Sequence, residues 1–412
     1  MKDFGKLLKL TCKRYAIWII LFGFFFTLSN SFGIKNDLNW VERRLTDPVI
    51  EMERYLGKES VHYSDAKIDN KKLEEYEKTA QAFAKKYDLK YEEAKIFEDD
   101  YEPAYDSEKD ELWSRYNTYA NFKRAMETLP DNKLEVADKF ESSIAITIFF
   151  IFILAMALTS IEESLNYYDF TRMLPWSKKK EFLMKLGIAL IFGLGLFIVN
   201  ALVTLAILKG SVFSEILGYG GFGQYLLKVL LASLTASLVG VSLGLLAGNF
   251  LGHLGLTIIA VGFIEWFKLI VLAFATIFGD NLSSNLNDAY YNFKKTLGPA
   301  AKVFLSLTNT DFGKMSSLWA ALAVGLIIAI GAYFLIGRSS AERSGYLVKN
   351  KVLSEICKWA GILSFTSILY GITTGFLNFG GPNILIRIIS YCLSLLISYK
   401  LFDILFKIRL KF

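Results

Sequence analysis

Apolar runs of roughly 18 or more residues recur along the chain, and each is long enough to cross about 30 Å of hydrocarbon as a helix. They predict spans at about 15–32, 143–161, 182–208, 225–247, 254–278, 318–336, 359–376 and 384–401. In lipid the backbone must satisfy its own polar groups, which a helix does without closing a barrel. The predicted fold class is therefore an all-α integral membrane protein with about eight transmembrane helices. One long polar interval, residues 35–141, interrupts the pattern. Inside it Leu73, Tyr76, Ala80, Phe83 and Tyr87 follow three-four spacing, and Leu112, Tyr116, Tyr119 and Met126 do so approximately. Each set predicts an amphipathic helix, the two flanking an acidic turn from Glu98 to Glu108. Trp40 to Leu56 predicts a further helix, interrupted or restarted at Pro48.

Residues 1–14 carry Lys2, Lys6, Lys9, Lys13 and Arg14 interleaved with Phe4, Leu7 and Leu8. This reads as an amphipathic helix lying on the membrane surface. A secretory signal peptide is the competing reading, but the apolar run that follows ends without an Ala-x-Ala site.

Charge separates the polar interval from the rest. Residues 35–141 hold 27 of the 40 acidic and 19 of the 46 basic residues, about −8, which leaves about +14 elsewhere. The positive charge is scattered through short loops between apolar runs, so it points to anionic lipid heads and away from nucleic acid. Placing the basic loops inside puts both termini in the cytoplasm and residues 35–141 outside the cell membrane as a helical domain. Residues 143–336 then hold transmembrane helices two to six. A cytoplasmic segment follows at 337–358, and two C-terminal transmembrane helices with a tail occupy 359–412. The three cysteines, Cys12, Cys357 and Cys392, have no metal or redox spacing, and none falls in the polar interval.

Two charges fall inside the fifth span. Glu265 and Lys268 lie three residues apart on one helix face and can pair. Charges there are costly, so the pair is either a functional device or a packing pair. His253 has only His62 as companion, so no histidine-based metal site is expected. Gly218, Gly220, Gly221 and Gly223 lack the strand-to-helix context of a phosphate loop and read as a flexible turn. Gly240, Gly244 and Gly248, spaced by four, permit close helix packing. The chain has no Gly-x-x-x-x-Gly-Lys-Ser/Thr segment, so no ATPase or other catalytic activity is expected of it.

The loop after the second span runs from Ile161 through Glu162, Glu163 and Asp169 to Arg172, Pro175, Trp176, Ser177, Lys178, Lys179 and Lys180. As physics alone it is an inner basic loop whose Ser177 is placed to cap the next helix. Its order of acidic pair, polar stretch, Leu174-Pro175, Ser177 and Lys178-Lys179, then Lys185 inside the next helix, resembles the class-2 ATP-binding-cassette (ABC) transporter permeases. Arg338, Glu342, Arg343 and Gly345, after the sixth span, resemble the segment that family carries there. The amphipathic start and the large segment between the first two spans also resemble the family. The two added C-terminal spans depart from its usual six.

The resemblance implies a non-catalytic permease chain whose coupling loop comprises Glu163, Asp169, Arg172, Pro175, Trp176, Ser177, Lys178 and Lys179. It implies a second cytoplasmic contact at Arg338, Glu342 and Arg343. The partners implied are a separate ATPase subunit, which would hold ATP and Mg, and a second permease copy, identical or related. No cofactor is expected on this chain. An amphipathic peptide, antibiotic or lipid is the expected cargo. Two other readings stay open: a mechanotransmitting ABC membrane subunit, or an ATPase-independent sensor or scaffold whose outer domain binds a ligand.

Overall fold

The computed structural model describes residues 2–58, 67–91, 107–165, 177–338, 343–377 and 383–410. Among them the protein is all-α, apart from a two-residue parallel strand pair and one isolated bridge between Ala247 and Val348. Seven helices are long and apolar enough to cross a membrane: Thr11–Tyr55, Val136–Ser164, Lys178–Lys209, Phe222–Leu246, Met315–Gly337, Lys351–Phe376 and Ile384–Leu405. The chain divides into two compact units, one of residues 21–146 and 196–226, the other of residues 1–20, 147–195 and 227–412.

In the first unit, helix α1 (Lys2–Tyr55) presents Ile34, Leu38, Val41, Leu45, Val49 and Met52 as one buried stripe. The predicted break at Pro48 does not occur, and the helix runs through it. Losing the amide there costs about 3 kcal/mol. Fully burying Leu45, Val49 and Met52 around it contributes roughly 1.5–3 kcal/mol each, so burial wins. Helix α2 (Asn70–Tyr87) starts at Asp69, whose side chain accepts the Lys72 amide at 2.7 Å, and ends at the left-handed Asp88. Leu73, Tyr76, Ala80 and Phe83 are buried as the spacing predicts. Tyr87 is not, and donates its hydroxyl to the Tyr55 carbonyl at 3.0 Å.

Helix α3 (Ser107–Glu127) buries only part of the predicted stripe. Tyr119 is buried as the spacing predicts, together with Thr118, Phe122, Ala125 and, just beyond, Leu129, whereas Tyr116 and Met126 are half-buried and Leu112 is exposed. Phe122, the largest apolar side chain on the inward stripe, sets the phase. The predicted acidic turn lies outside the described residues as far as Asp106. Strand β1 (Leu134–Glu135) pairs with β2 (Leu217–Gly218), and the Glu135 carboxylate lies over Gly218 and Gly220. The glycine segment expected to be a flexible turn is thus in part a paired strand.

In the second unit, helix α4 (Glu141–Met156) passes into a π-helical turn (Ala157–Ile161) and a last turn (Glu162–Ser164). Helices α5 (Lys178–Lys209) and α6 (Phe222–Leu246) follow. Gly240 and Gly244 of α6 face Ala155 and Thr159, the close approach their spacing suggested. The predicted span at 254–278 is two helices, α7 (Phe250–Val261) and α8 (Phe263–Phe278), bent by 82°. The break falls at Gly262. The Val261 carbonyl freed there accepts a hydrogen bond from the buried Ser306 hydroxyl at 2.7 Å, so the bend leaves no orphan acceptor at that carbonyl. At 12 and 16 residues, each half is shorter than the ~20 residues that a full crossing needs. Helices α9 (Asp280–Thr296) and α10 (Pro299–Leu305) lead to α11 (Met315–Gly337), α12 (Lys351–Leu377) and α13 (Ile384–Leu405).

Candidate functional site

The π turn ends α4 on two adjacent carboxylates, both buried. Such turns widen the helix by one residue and recur at functional sites. Neighbouring helix positions point about 100° apart, and the two acids take different partners. Glu162 accepts from Arg14 at 2.6 Å and from Lys185 at 2.9 Å. Lys185, two turns into α5, also pairs with Glu181 at 2.7 Å. Glu163 is 0% exposed and pairs with Lys349, itself buried. Three cations thus face three carboxylates, which is what buried charge requires.

Lys349 is held there by an extended segment, residues 343–350, laid along the α6–α7 junction. The Gly345 amide donates to Gly248 O at 2.8 Å, the Gly248 amide to Leu347 O at 3.2 Å, and the Lys349 amide to Leu246 O at 3.0 Å. The buried Asn249 side chain donates to Gly345 O at 2.8 Å, and so does the Leu410 amide. Arg409 Nε donates to Ser344 O at 2.9 Å, and Ser344 Oγ to Glu163 O at 3.4 Å. Gly345 takes φ +88°, which a side chain would strain. A Cβ on Gly252 would sit 1.8 Å from the Leu347 carbonyl oxygen, so the segment rests directly on the helix backbone.

Of the two contact sites predicted from sequence, one described residue of the first reaches the chain just after the second. Glu163 pairs with Lys349, and its carbonyl accepts from Ser344, both of which follow the second along the chain. Lys179 at the start of α5 lies over the Tyr333 ring of α11 at 4.5 Å. The ring of Phe182 meets the same tyrosine edge-on at 6.2 Å. Arg338 caps the end of α11 and is exposed, while Arg343 donates to Ser354 at 3.2 Å. Ser177 is exposed, and its carbonyl accepts the Glu181 amide at 3.0 Å, closing the first turn ahead of Lys178. Asp169, Arg172, Pro175, Trp176 and Glu342 lie outside the described residues.

Glu265 and Lys268 join neither set. They pair at 3.4 Å, but Glu265 accepts more closely from Tyr290 at 2.7 Å and from Lys294 at 2.9 Å, both on α9. Lys268 lies over the Tyr290 and Tyr291 rings, 4.8 Å from each. The pair is therefore a clasp that folds α9 back onto α8. Burial first, then the hydrogen bond to Glu265, pushes the Tyr290 phenol well above its usual value, so it stays a donor. Glu265→Gln is expected to loosen α9 by about 1 kcal/mol, since the carboxylate is partly solvated. Amide exchange in 280–296 should speed up several-fold while α8 keeps its protection.

Sequence reasoning passed over other charged ties. Arg387, buried on α13, donates to Thr276 O at 2.5 Å and to Asp280 at 2.6 Å. Lys358 and Lys407 share Asp403, at 2.7 and 2.6 Å. A lone charge in an apolar helix demands a partner, and that demand was the available signal at Arg387 and Lys185. The buried His253 shares a hydrogen bond of 3.0 Å with Ser160, inside the π turn.

The fold and this site define a helical protein with the apolar helices of a multi-pass membrane protein, knit at one helix-end cluster by buried ion pairs. No family model, curated protein or solved structure matches the chain.

Proposed function

We propose that the chain is the membrane-spanning permease subunit of an ABC exporter, seated in the cell membrane with both termini cytoplasmic and residues 35–141 outside. ATP is hydrolysed, with Mg, on a separate subunit docked at the loop ahead of α5. A second permease copy, identical or related, completes the path. The observation that carries this reading is the tie of Glu163, in the first expected contact, to Lys349 and Ser344 in the segment after α11. A push on that loop passes from the end of α4 into the 343–350 segment through buried charges and backbone hydrogen bonds, not through solvated side chains. An apolar cavity of about 320 Å³ lies between α4, α6 and α11, lined by Phe152, Thr235, Val239 and Leu318. It suits an apolar group of an amphipathic cargo.

The test is crosslinking from Lys179→Cys, carrying a photoreactive reagent, in native membranes. Capture of a polypeptide that bears a phosphate-binding loop and hydrolyses ATP is the expected result. Capture of lipid alone, with no ATP-hydrolysing partner, overturns the proposal.

A further inference from the structure

Two cavities in the second unit meet at one residue. The first is a cleft of about 770 Å³ at the ends of α11, α12 and α13. Its wall carries Arg338, Arg343, Lys349, Lys351, Lys358 and Lys407 against only two carboxylates, Glu355 and Asp403. Lys349 is already matched to Glu163, and Lys358 and Lys407 share Asp403. Arg343 holds a serine hydroxyl and lies over the Tyr346 ring at 5.8 Å. Arg338, Arg343 and Lys351 are left without a carboxylate partner among the described residues. The second cavity is a groove of about 370 Å³ between α7, α8, α12 and α13. Leu256, Ile259, Trp266, Phe365 and Phe402 line it, and no charged side chain does. Phe406 lines both cavities, and consecutive residues of the 343–350 segment divide between them, Tyr346 and Lys349 in the cleft, Leu347 and Val348 in the groove.

A cationic cleft that adjoins an apolar groove at Phe406 fits one kind of ligand. Surplus arginine and lysine attract a phosphate group, as basic pockets between membrane helices do, and the groove takes a hydrocarbon tail out of water. We infer that this is a site for an anionic phospholipid, its phosphate in the cleft beside Arg338, Arg343 and Lys351 and an acyl chain along the groove past Phe406. The inference rests on the membrane reading; it gives Arg338 and Arg343 to a lipid and leaves an ATPase the loop ahead of α5, so the two fail separately.

The experiment is native mass spectrometry and thermal stabilisation of the full chain in detergent. The probes are phosphatidylglycerol, phosphatidylcholine with the same chains, and glycerol phosphate. Phosphatidylglycerol is expected to be retained and to stabilise; phosphatidylcholine and glycerol phosphate are not. Arg338→Gln with Lys351→Gln removes two cations that hold no ion pair among the described residues, and should weaken phosphatidylglycerol binding roughly 30-fold. Gly255→Leu fills the groove at a position where an added Cβ meets nothing within 4 Å. It should also weaken the lipid, by about tenfold. Equal retention of phosphatidylcholine in the unaltered protein overturns the proposal and needs no variant. Equal stabilisation by glycerol phosphate overturns the lipid assignment in favour of a soluble anion. An unchanged affinity in Gly255→Leu overturns the place of the acyl chain.

Discussion

Glu163→Ala is expected to destabilise the protein by about 3–5 kcal/mol, the cost of stranding a buried charge. Lys349 is buried and its amide is pinned to Leu246, although its side chain borders the cleft at the ends of α11, α12 and α13. Removing only the carboxylate leaves a buried ammonium without its counter-charge. Removing both charges does not, so Glu163→Ala with Lys349→Met should recover most of the loss. Thermal unfolding in detergent, followed by size-exclusion elution, reads both. A single variant as stable as the double would show that Lys349 is hydrated and that the pair contributes little. The double variant also separates stability from coupling. If it folds but no longer couples to an ATPase, the ion pair serves transmission.

Gly252→Ala is expected to lose about 1–3 kcal/mol or more, against the usual trend. In an open helix the same change gains up to about 1 kcal/mol, because alanine gives up less backbone freedom. Here the new Cβ would fall 1.8 Å from the Leu347 carbonyl oxygen, and backbone cannot rotate away as a side chain can. Helix α7 and the segment must separate, which pulls on the bridge between Ala247 and Val348 and displaces Lys349 from Glu163. Gly255→Ala, three residues on in open space, is the control and should be neutral or mildly stabilising. The two are compared by unfolding temperature. Equal values for both would mean that the segment does not press on α7.

Local signals explain what the sequence disclosed. The apolar runs mark where helices lie, since length and hydrophobicity are properties of contiguous residues. Leu73, Tyr76, Ala80 and Phe83 were legible for the same reason. Three features depend on partners far along the chain and were not. The bend at Gly262 leaves no trace in the apolar pattern, because hydrophobic residues continue on both sides and the acceptor is relieved by Ser306, 45 positions away. Pro48 carries a local breaker signal, but tertiary burial overrides it. The Glu163–Lys349 pair joins residues 186 positions apart, so each reads from sequence as an ordinary charge near a helix end. Glu265 and Lys268 could be paired by spacing, while Tyr290 and Lys294, which hold Glu265 more closely, could not.

The neutrality of the buried set at the end of α4 has a consequence for ionic strength. Electrolyte screens charges that water reaches, with a Debye length of about 8 Å at 0.15 M. It has little purchase on Glu163 and Lys185, which are almost wholly buried. Any salt-weakened association at this end of the molecule must then draw on solvated lysines such as Lys179 and Lys180, leaving the interior linkage equally firm in dilute and concentrated buffer.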